Sequence, residues 1–251
     1  MRLLPLALLG LASMLPSVAA SAGCTTRSGA QVTPLVELYT SEGCSSCPPA
    51  DRWLSRLVPD AAAGRVVPLA FHVSYWDYIG WKDPFASGAA TQRQRDIQAA
   101  AGARYVYTPQ VVVGGRDFRD WSSGSFDQST AIRRERAAAG IELAVKADGV
   151  KGIEVTSATR ANAPLPGDVL VLVALTQNGL SSRVTAGENN GERLAHDFVV
   201  RDFAIHRGLG TFTSTFRPAA GWNIAHMSVA AFVQERKTGR VLQSVACALA
   251  G

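Results

Sequence analysis

Two cysteines separated by two residues, Cys44-Ser45-Ser46-Cys47, are the residues of this 251-residue chain best suited to chemistry. A thiolate attacks a disulfide sulfur, and a second thiol within reach then displaces it from the mixed disulfide. Two intervening residues let Cys47 fold back onto Cys44 across one turn of helix. In that chemistry Cys44 is the nucleophile and Cys47 the resolving thiol. A static disulfide or half of a zinc site would use the same residue types. Zinc wants two further ligands, and His72 with the distant cysteines supplies no second paired motif, so no metal is assigned.

The elements around the pair must present one sulfur as a thiolate. Leu35-Val36-Glu37-Leu38-Tyr39-Thr40 predicts a strand, broken by Ser41-Glu42-Gly43. Cys44-Ser45-Ser46-Cys47-Pro48-Pro49-Ala50-Asp51 then reads as a helix start. Proline is tolerated in a first helical turn, and Asp51 complements the positive end of the dipole. The unpaired N–H groups of such a start favour a thiolate at Cys44. Trp53, Leu54, Leu57 and Val58 recur at helical spacing, and Pro59 is expected to stop that helix. Val66 to Val73 predicts a buried strand, Thr91 to Ala101 a helix, Val111-Val112-Val113 a strand with a hairpin partner, and Ser129 to Ala139 a helix.

Thr108-Pro109 directly precedes the Val111 strand. A cis-proline there would press its ring and the Thr108 backbone against the dithiol, and that backbone could pair with an extended substrate segment. A cysteine pair after the first strand and a Thr-Pro before the third together resemble the thioredoxin superfamily. Longer motifs narrow the resemblance. Val36 to Asp51, Ala70-Phe71-His72-Val73-Ser74-Tyr75-Trp76-Asp77-Tyr78-Ile79-Gly80-Trp81-Lys82-Asp83-Pro84-Phe85, Tyr107-Thr108-Pro109-Gln110 and Glu188-Asn189-Asn190-Gly191 are similar to a bacterial family catalogued as domain of unknown function 1223. The resemblance runs from Pro34 to the C-terminus. It implies a secreted protein with a thioredoxin-like fold in its first part, and it implies no established reaction. Gly43 stands where ordinary thioredoxins carry tryptophan, and Pro48-Pro49 follows the second cysteine.

Within the aromatic loop, Trp76, Tyr78, Trp81 and Phe85 could wall a substrate cleft or pack beneath a long loop. His72 reads as a satisfied histidine or as a ligand. Asn189-Asn190-Gly191 reads as a tight turn, and nothing in the sequence brings His196 to the cysteines.

Residues 1–22 read as a secretory signal peptide. Arg2 supplies the positive start, Leu3 to Leu15 an apolar run too short to span a bilayer, and Ala20-Ser21-Ala22 a cleavage pattern. A periplasmic or secreted location follows, with no transmembrane segment. In an oxidising compartment four cysteines suggest pairing. A structural Cys24–Cys247 bond would close almost the whole chain and contribute about 4–5 kcal/mol. Cys24 alternatively fits a lipoprotein cleavage box, and the two fates exclude each other. Formal charge is +5, of which Arg2 supplies one, leaving +4 without the leader. Arg133, Arg134 and Arg136, interrupted by Glu135, read as a solvated face, so no nucleic-acid partner is assigned.

After Gly140 the pattern alternates at period two through several β-prone runs: Ile141 to Lys146, Ile153 to Val155, Val169 to Leu175, Phe198 to Ile205, Thr211 to Phe216 and Met227 to Gln234. The expected architecture is α/β plus all-β. A thioredoxin-like domain over residues 31–140 is followed by an antiparallel β-sandwich-like domain over 141–251. The function expected is thiol–disulfide exchange by Cys44, Cys47 and Pro109 on exported protein or peptide thiols and disulfides. Thr108, Trp76, Tyr78 and Trp81 would contact substrate, another protein would be the redox partner, and no cofactor is needed. The alternative is a non-catalytic binding module, for a peptide or for copper(I) held by Cys44, Cys47 and His72.

Overall fold

The computed structural model describes residues 23–123, 135–148 and 152–249. The leader and most of the helix expected over 129–139 lie outside them. Residues 135–138 are not helical, and a strand begins at Ala139. Among the described residues no helix is long and apolar enough to cross a membrane.

Strands dominate, in mixed and antiparallel sheets. In chain order they are β1 (Gly23–Arg27), β2 (Leu35–Thr40), β3 (Val67–His72), β4 (Gln110–Val113), β5 (Arg116–Asp117), β6 (Ala139–Asp148) and β7 (Gly152–Ala161). They continue with β8 (Val169–Gln177), β9 (Leu180–Arg183), β10 (Arg193–His196), β11 (Val199–Arg207), β12 (Thr211–Phe216), β13 (Met227–Glu235) and β14 (Val241–Ala248). The helices are α1 (Pro48–Ser55), α2 (Val58–Ala62) and α3 (Gly88–Ala100). Pro59 does not stop a helix. It sits in the first turn of α2, where a missing N–H costs nothing, and the break falls at Arg56-Leu57.

One eight-stranded sheet carries the order β14-β13-β8-β11-β3-β2-β4-β5, with β11–β3 and β3–β2 parallel and the other pairs antiparallel. It crosses the boundary expected near Gly140. Strands β8, β11, β13 and β14 extend the sheet that β2 to β5 begin. A second sheet, β1-β6-β7-β12, packs on the β8–β13–β14 part, and β9 with β10 forms a separate hairpin.

The central strands are apolar on both faces because both are covered. Val169, Val171, Val173 and Leu175 of β8 enter the core against β6, β7 and β12, whereas Leu172 and Ala174 join Phe232, Leu69 and Phe71 on the face under α3. Strands β2 and β3 divide likewise: Leu35 and Tyr39 face α3, and Val36 and Leu38 face Trp53 and Leu54 of α1. Helix α3 starts at a Ser87 cap, whose hydroxyl accepts from Ala90 N–H at 3.0 Å. Its buried Arg93 donates to Glu37 of β2 at 3.0 Å and to Gln234 of β13 at 2.8 Å, tying both halves of the chain to one helix. Cys24 of β1 and Cys247 of β14 are disulfide-bonded, with Cα atoms 6.1 Å apart.

Candidate functional site

Strand β2 delivers the chain to the cysteines. Beyond Thr40, Ser41 to Cys47 winds through successive turns, with Cys44 N–H on Ser41 O and Cys47 N–H on Cys44 O, each at 3.1 Å. Cys47 occupies the N-cap of α1 with no side-chain cap of its own. Cys44 and Cys47 form a disulfide across a Cα separation of 5.4 Å. Gly43 is required for close approach, since a Cβ there would lie 3.1 Å from Trp76 Cβ.

Trp76 joins the two segments singled out in the sequence. Its Cβ and backbone carbonyl lie against Gly43, and its Nε1 donates to Thr108 Oγ1 at 2.7 Å. The Thr108–Pro109 bond is cis. Gln94 of α3 steadies that loop by donating to Tyr107 O at 2.8 Å and Gln110 Oε1 at 2.9 Å. Trp81 turns toward the turn before the cysteines, donating to Glu42 Oε2 at 2.9 Å. Tyr78 is 82% exposed and walls no closed cleft. Phe85 packs edge-on to His72 and His196.

What covers the pair comes from the second half of the chain. Cys44 and Cys47 are 1% and 0% exposed. Their cover is the loop between β9 and β10, which carries Glu188-Asn189-Asn190-Gly191. Asn189 Nδ2 donates to Glu42 O at 2.8 Å and to Cys44 O at 3.1 Å. The Glu188 carboxylate accepts Ser45 N–H at 3.0 Å, and that bond holds its pKa below the ordinary value. Asn189 is buried, whereas Glu188, Ser45 and Ser46 are exposed, so the cover is thin and polar.

Beside the pair lies a buried cluster of five ionisable side chains: Glu42, Asp51, His72, Asp83 and His196. His72 Nδ1 meets Asp83 Oδ2 at 2.7 Å, and Asp83 also accepts Glu42 N–H at 2.9 Å and Phe85 N–H at 2.8 Å. Burial alone would raise Asp83, but the His72 charge and these hydrogen bonds outweigh it and lower its pKa. Burial alone would lower His72, but the Asp83 carboxylate prevails and raises it. His196, from β10, places Nε2 2.9 Å from Glu42 Oε1, and Ser182 of β9 donates to the same oxygen. Asp51, one helical turn beyond Cys47, is raised chiefly by burial and lies 4.0 Å from His196 Nδ1. The two imidazoles stand with centroids 4.9 Å apart, and His72 Nε2 and His196 Nδ1 have no hydrogen-bond partner among the described residues.

The structure therefore brings Cys44, Cys47, Trp76, Trp81, Thr108 and Pro109 into one region and leaves Tyr78 in solvent. It adds Glu42, Asp51, Asp83, Ser182, Glu188, Asn189 and His196. Of these, Glu188 and Asn189 had a sequence signal, because their motif lay in the family resemblance. Copper(I) would be held by the reduced form of the pair, because a thiolate and not a disulfide is the metal ligand. Among the described residues no group of three His, Cys, Asp or Glu side chains is arranged to hold a metal.

Residues 35–234 match the family described as "Protein of unknown function (DUF1223)". No curated protein matches the chain. A crystal structure of a protein from Agrobacterium tumefaciens, a structural-genomics target, is similar at 27% identity over 88% of this chain and 95% of that one, with a TM-score of 0.63. HBP35 of Porphyromonas gingivalis shares the fold at 14% identity over 88% of this chain and 76% of its own, with a TM-score of 0.61.

Proposed function

Since the chain belongs to the DUF1223 family, whose description assigns no reaction, we propose a function from the site itself: thiol–disulfide exchange on exported proteins by a thioredoxin-like arrangement. The observation that carries it is the Cys44–Cys47 disulfide at the start of α1, linked through Trp76 to the cis Thr108–Pro109 bond. An export route is supported by the residue 1–22 pattern and by two disulfides in one chain.

A substrate thiolate attacks Cys44 Sγ, and Cys47 leaves as a thiolate and takes up a proton. A second substrate thiolate then attacks the substrate's sulfur in the mixed disulfide and releases Cys44. The substrate loses two electrons and becomes a disulfide, while the protein gains them as a dithiol. A redox partner protein bearing a disulfide returns the pair to its oxidised state. Thr108 offers backbone to an extended substrate, and Pro109 keeps that segment beside the sulfurs. Because Cys44 is sealed, the Glu188–Asn189 cover must lift before attack.

Trapping tests this reading. The Cys47→Ala variant, expressed in its native compartment, is expected to retain substrate polypeptides disulfide-bonded to Cys44, because its unpaired Cys44 thiolate attacks the disulfide form of the substrate in the reverse of this reaction and no Cys47 thiol is left to release the adduct. No adduct, together with a Cys44 thiol inert to alkylation in the Cys47→Ala, Asn189→Ala double variant, refutes it.

A further inference from the structure

The cis-proline loop has a second face. Two cavities, of about 320 Å³ and 390 Å³, meet at Tyr105, three residues before Thr108. The first is lined by Tyr105, Tyr107, Arg119 and Trp121. The second takes Arg95 of α3 and Arg104, with Tyr105 as the shared wall. Among the described residues no carboxylate lines either cavity.

Three guanidinium groups and three aromatic rings thus converge beside the segment proposed to guide substrate. Arg95 and Arg104 are exposed and make no ion pair among the described residues. Arg119 lies over the Tyr107 ring at 5.5 Å and is held by Asp117 at 2.9 Å, and Asp117 also accepts the Tyr107 hydroxyl at 2.6 Å. One charge of the three is therefore offset, and that pairing fixes the rings in place. Trp121 is anchored edge-on to Trp53 of α1 at 6.1 Å, so the same helix that begins at Cys47 steadies the cavity floor. Tyr105 is 67% exposed, an aromatic face turned to solvent between the two hollows.

We infer that this double cavity is a docking site for an extended polypeptide segment bearing acidic and aromatic side chains, leading to Thr108 and the disulfide. Aromatic side chains of the segment stack against Trp121 and Tyr105, and its carboxylates meet Arg95 and Arg104. Charge complementarity selects an acidic segment over a basic one and speeds encounter at low salt. The inference names the substrate class for the exchange reaction proposed above and rests on that reading.

Its test avoids the redox chemistry. Binding of fluorescein-labelled short peptides to the oxidised protein is followed by anisotropy, so a failure of exchange leaves the measurement intact. A peptide alternating Glu and Phe is expected to bind at least about tenfold more tightly than one alternating Lys and Phe, or Glu and Ala, and to weaken as salt rises. Arg95→Glu with Arg104→Glu, or Trp121→Ala alone, is expected to reduce affinity about tenfold or more with the fold intact by circular dichroism. Equal affinity for all three peptides overturns the inference, as does binding indifferent to those substitutions. Tighter binding of a single-stranded oligonucleotide or of phosphatidylglycerol vesicles than of the acidic peptide overturns it as well. If binding behaves as expected while the Cys47→Ala trapping and alkylation tests above both fail, the docking site stands and the oxidoreductase reading falls.

Discussion

Replacing Asn189 by alanine is expected to speed chemical reduction of the Cys44–Cys47 disulfide by about 5- to 150-fold. The range comes from the two hydrogen bonds that the Asn189 amide makes to Glu42 O and Cys44 O. Each is worth about 0.5–1.5 kcal/mol net, so their loss favours the open loop by about 1–3 kcal/mol. The Cys44 carbonyl keeps its bond from Cys47 N–H, which places the effect toward the lower part of that range. When the cover opens and recloses faster than dithiothreitol attacks, the reduction rate follows the open population. Quenched alkylation at fixed dithiothreitol reads the rate, and urea unfolding of the oxidised variant separates local opening from global destabilisation. An unchanged rate with unchanged global stability would show that the loop does not gate the sulfurs. A rise matched by an equal loss of global stability would show that access comes from unfolding instead.

The buried pair His72–Asp83 gives a pH-dependent expectation. Asp83 is lowered, so its contribution is present above the ordinary carboxylate value and fades as pH falls through its folded value. His72 is raised, so its contribution is full below the ordinary histidine value and fades as pH rises through its folded one. The stability gap between wild type and Asp83→Asn is therefore expected to be widest between about pH 4 and 6.5, at about 3–5 kcal/mol; urea titrations showing a flat gap across pH 3–9 would contradict the pairing. Asp51 is raised by burial, so its ionisation erodes stability as pH climbs past about 4. Asp51→Asn is expected to flatten that decline in thermal scans, and an unaltered slope would argue that the carboxyl is not buried. Replacing both Cys24 and Cys247 by alanine is expected to cost up to about 5 kcal/mol, since the bond closes a loop spanning 223 residues; a midpoint in urea unmoved by the change would refute it.

The first half of the fold was legible because each element announces itself locally. Strand β2, the proline-led helix after Cys47 and strand β3 follow from runs of residues that need no distant partner to be read. Thr108-Pro109 was placed by order alone, and its cis geometry fits that place. Strand β14 escaped detection because Gln243 and Ser244 interrupt its apolar pattern. Both are fully buried, and Gln243 is satisfied by Gly29 O, Gln31 O and Thr33 N–H, more than 200 residues away. The buried cluster, and the seating of the Glu188–Asn189 motif over the cysteines, were hidden for the same reason. Asn189 as a turn residue and His196 as a stray histidine are sound local readings, and only β11 docking on β3 carries them to the cysteines. The expected division near Gly140 followed a real change in periodicity, but strands of both kinds entered one sheet.

That shared sheet constrains how the protein can be dissected. A fragment ending near residue 140 would lose β11 and leave the β3 backbone from Val67 to His72 as a raw, apolar edge, an invitation to self-association. The same cut removes Asn189, Ser182 and His196, leaving Glu42 and the sulfurs bare. Such a fragment, if it stayed in solution, would show eager thiols that report on the amputation and not on the parent molecule.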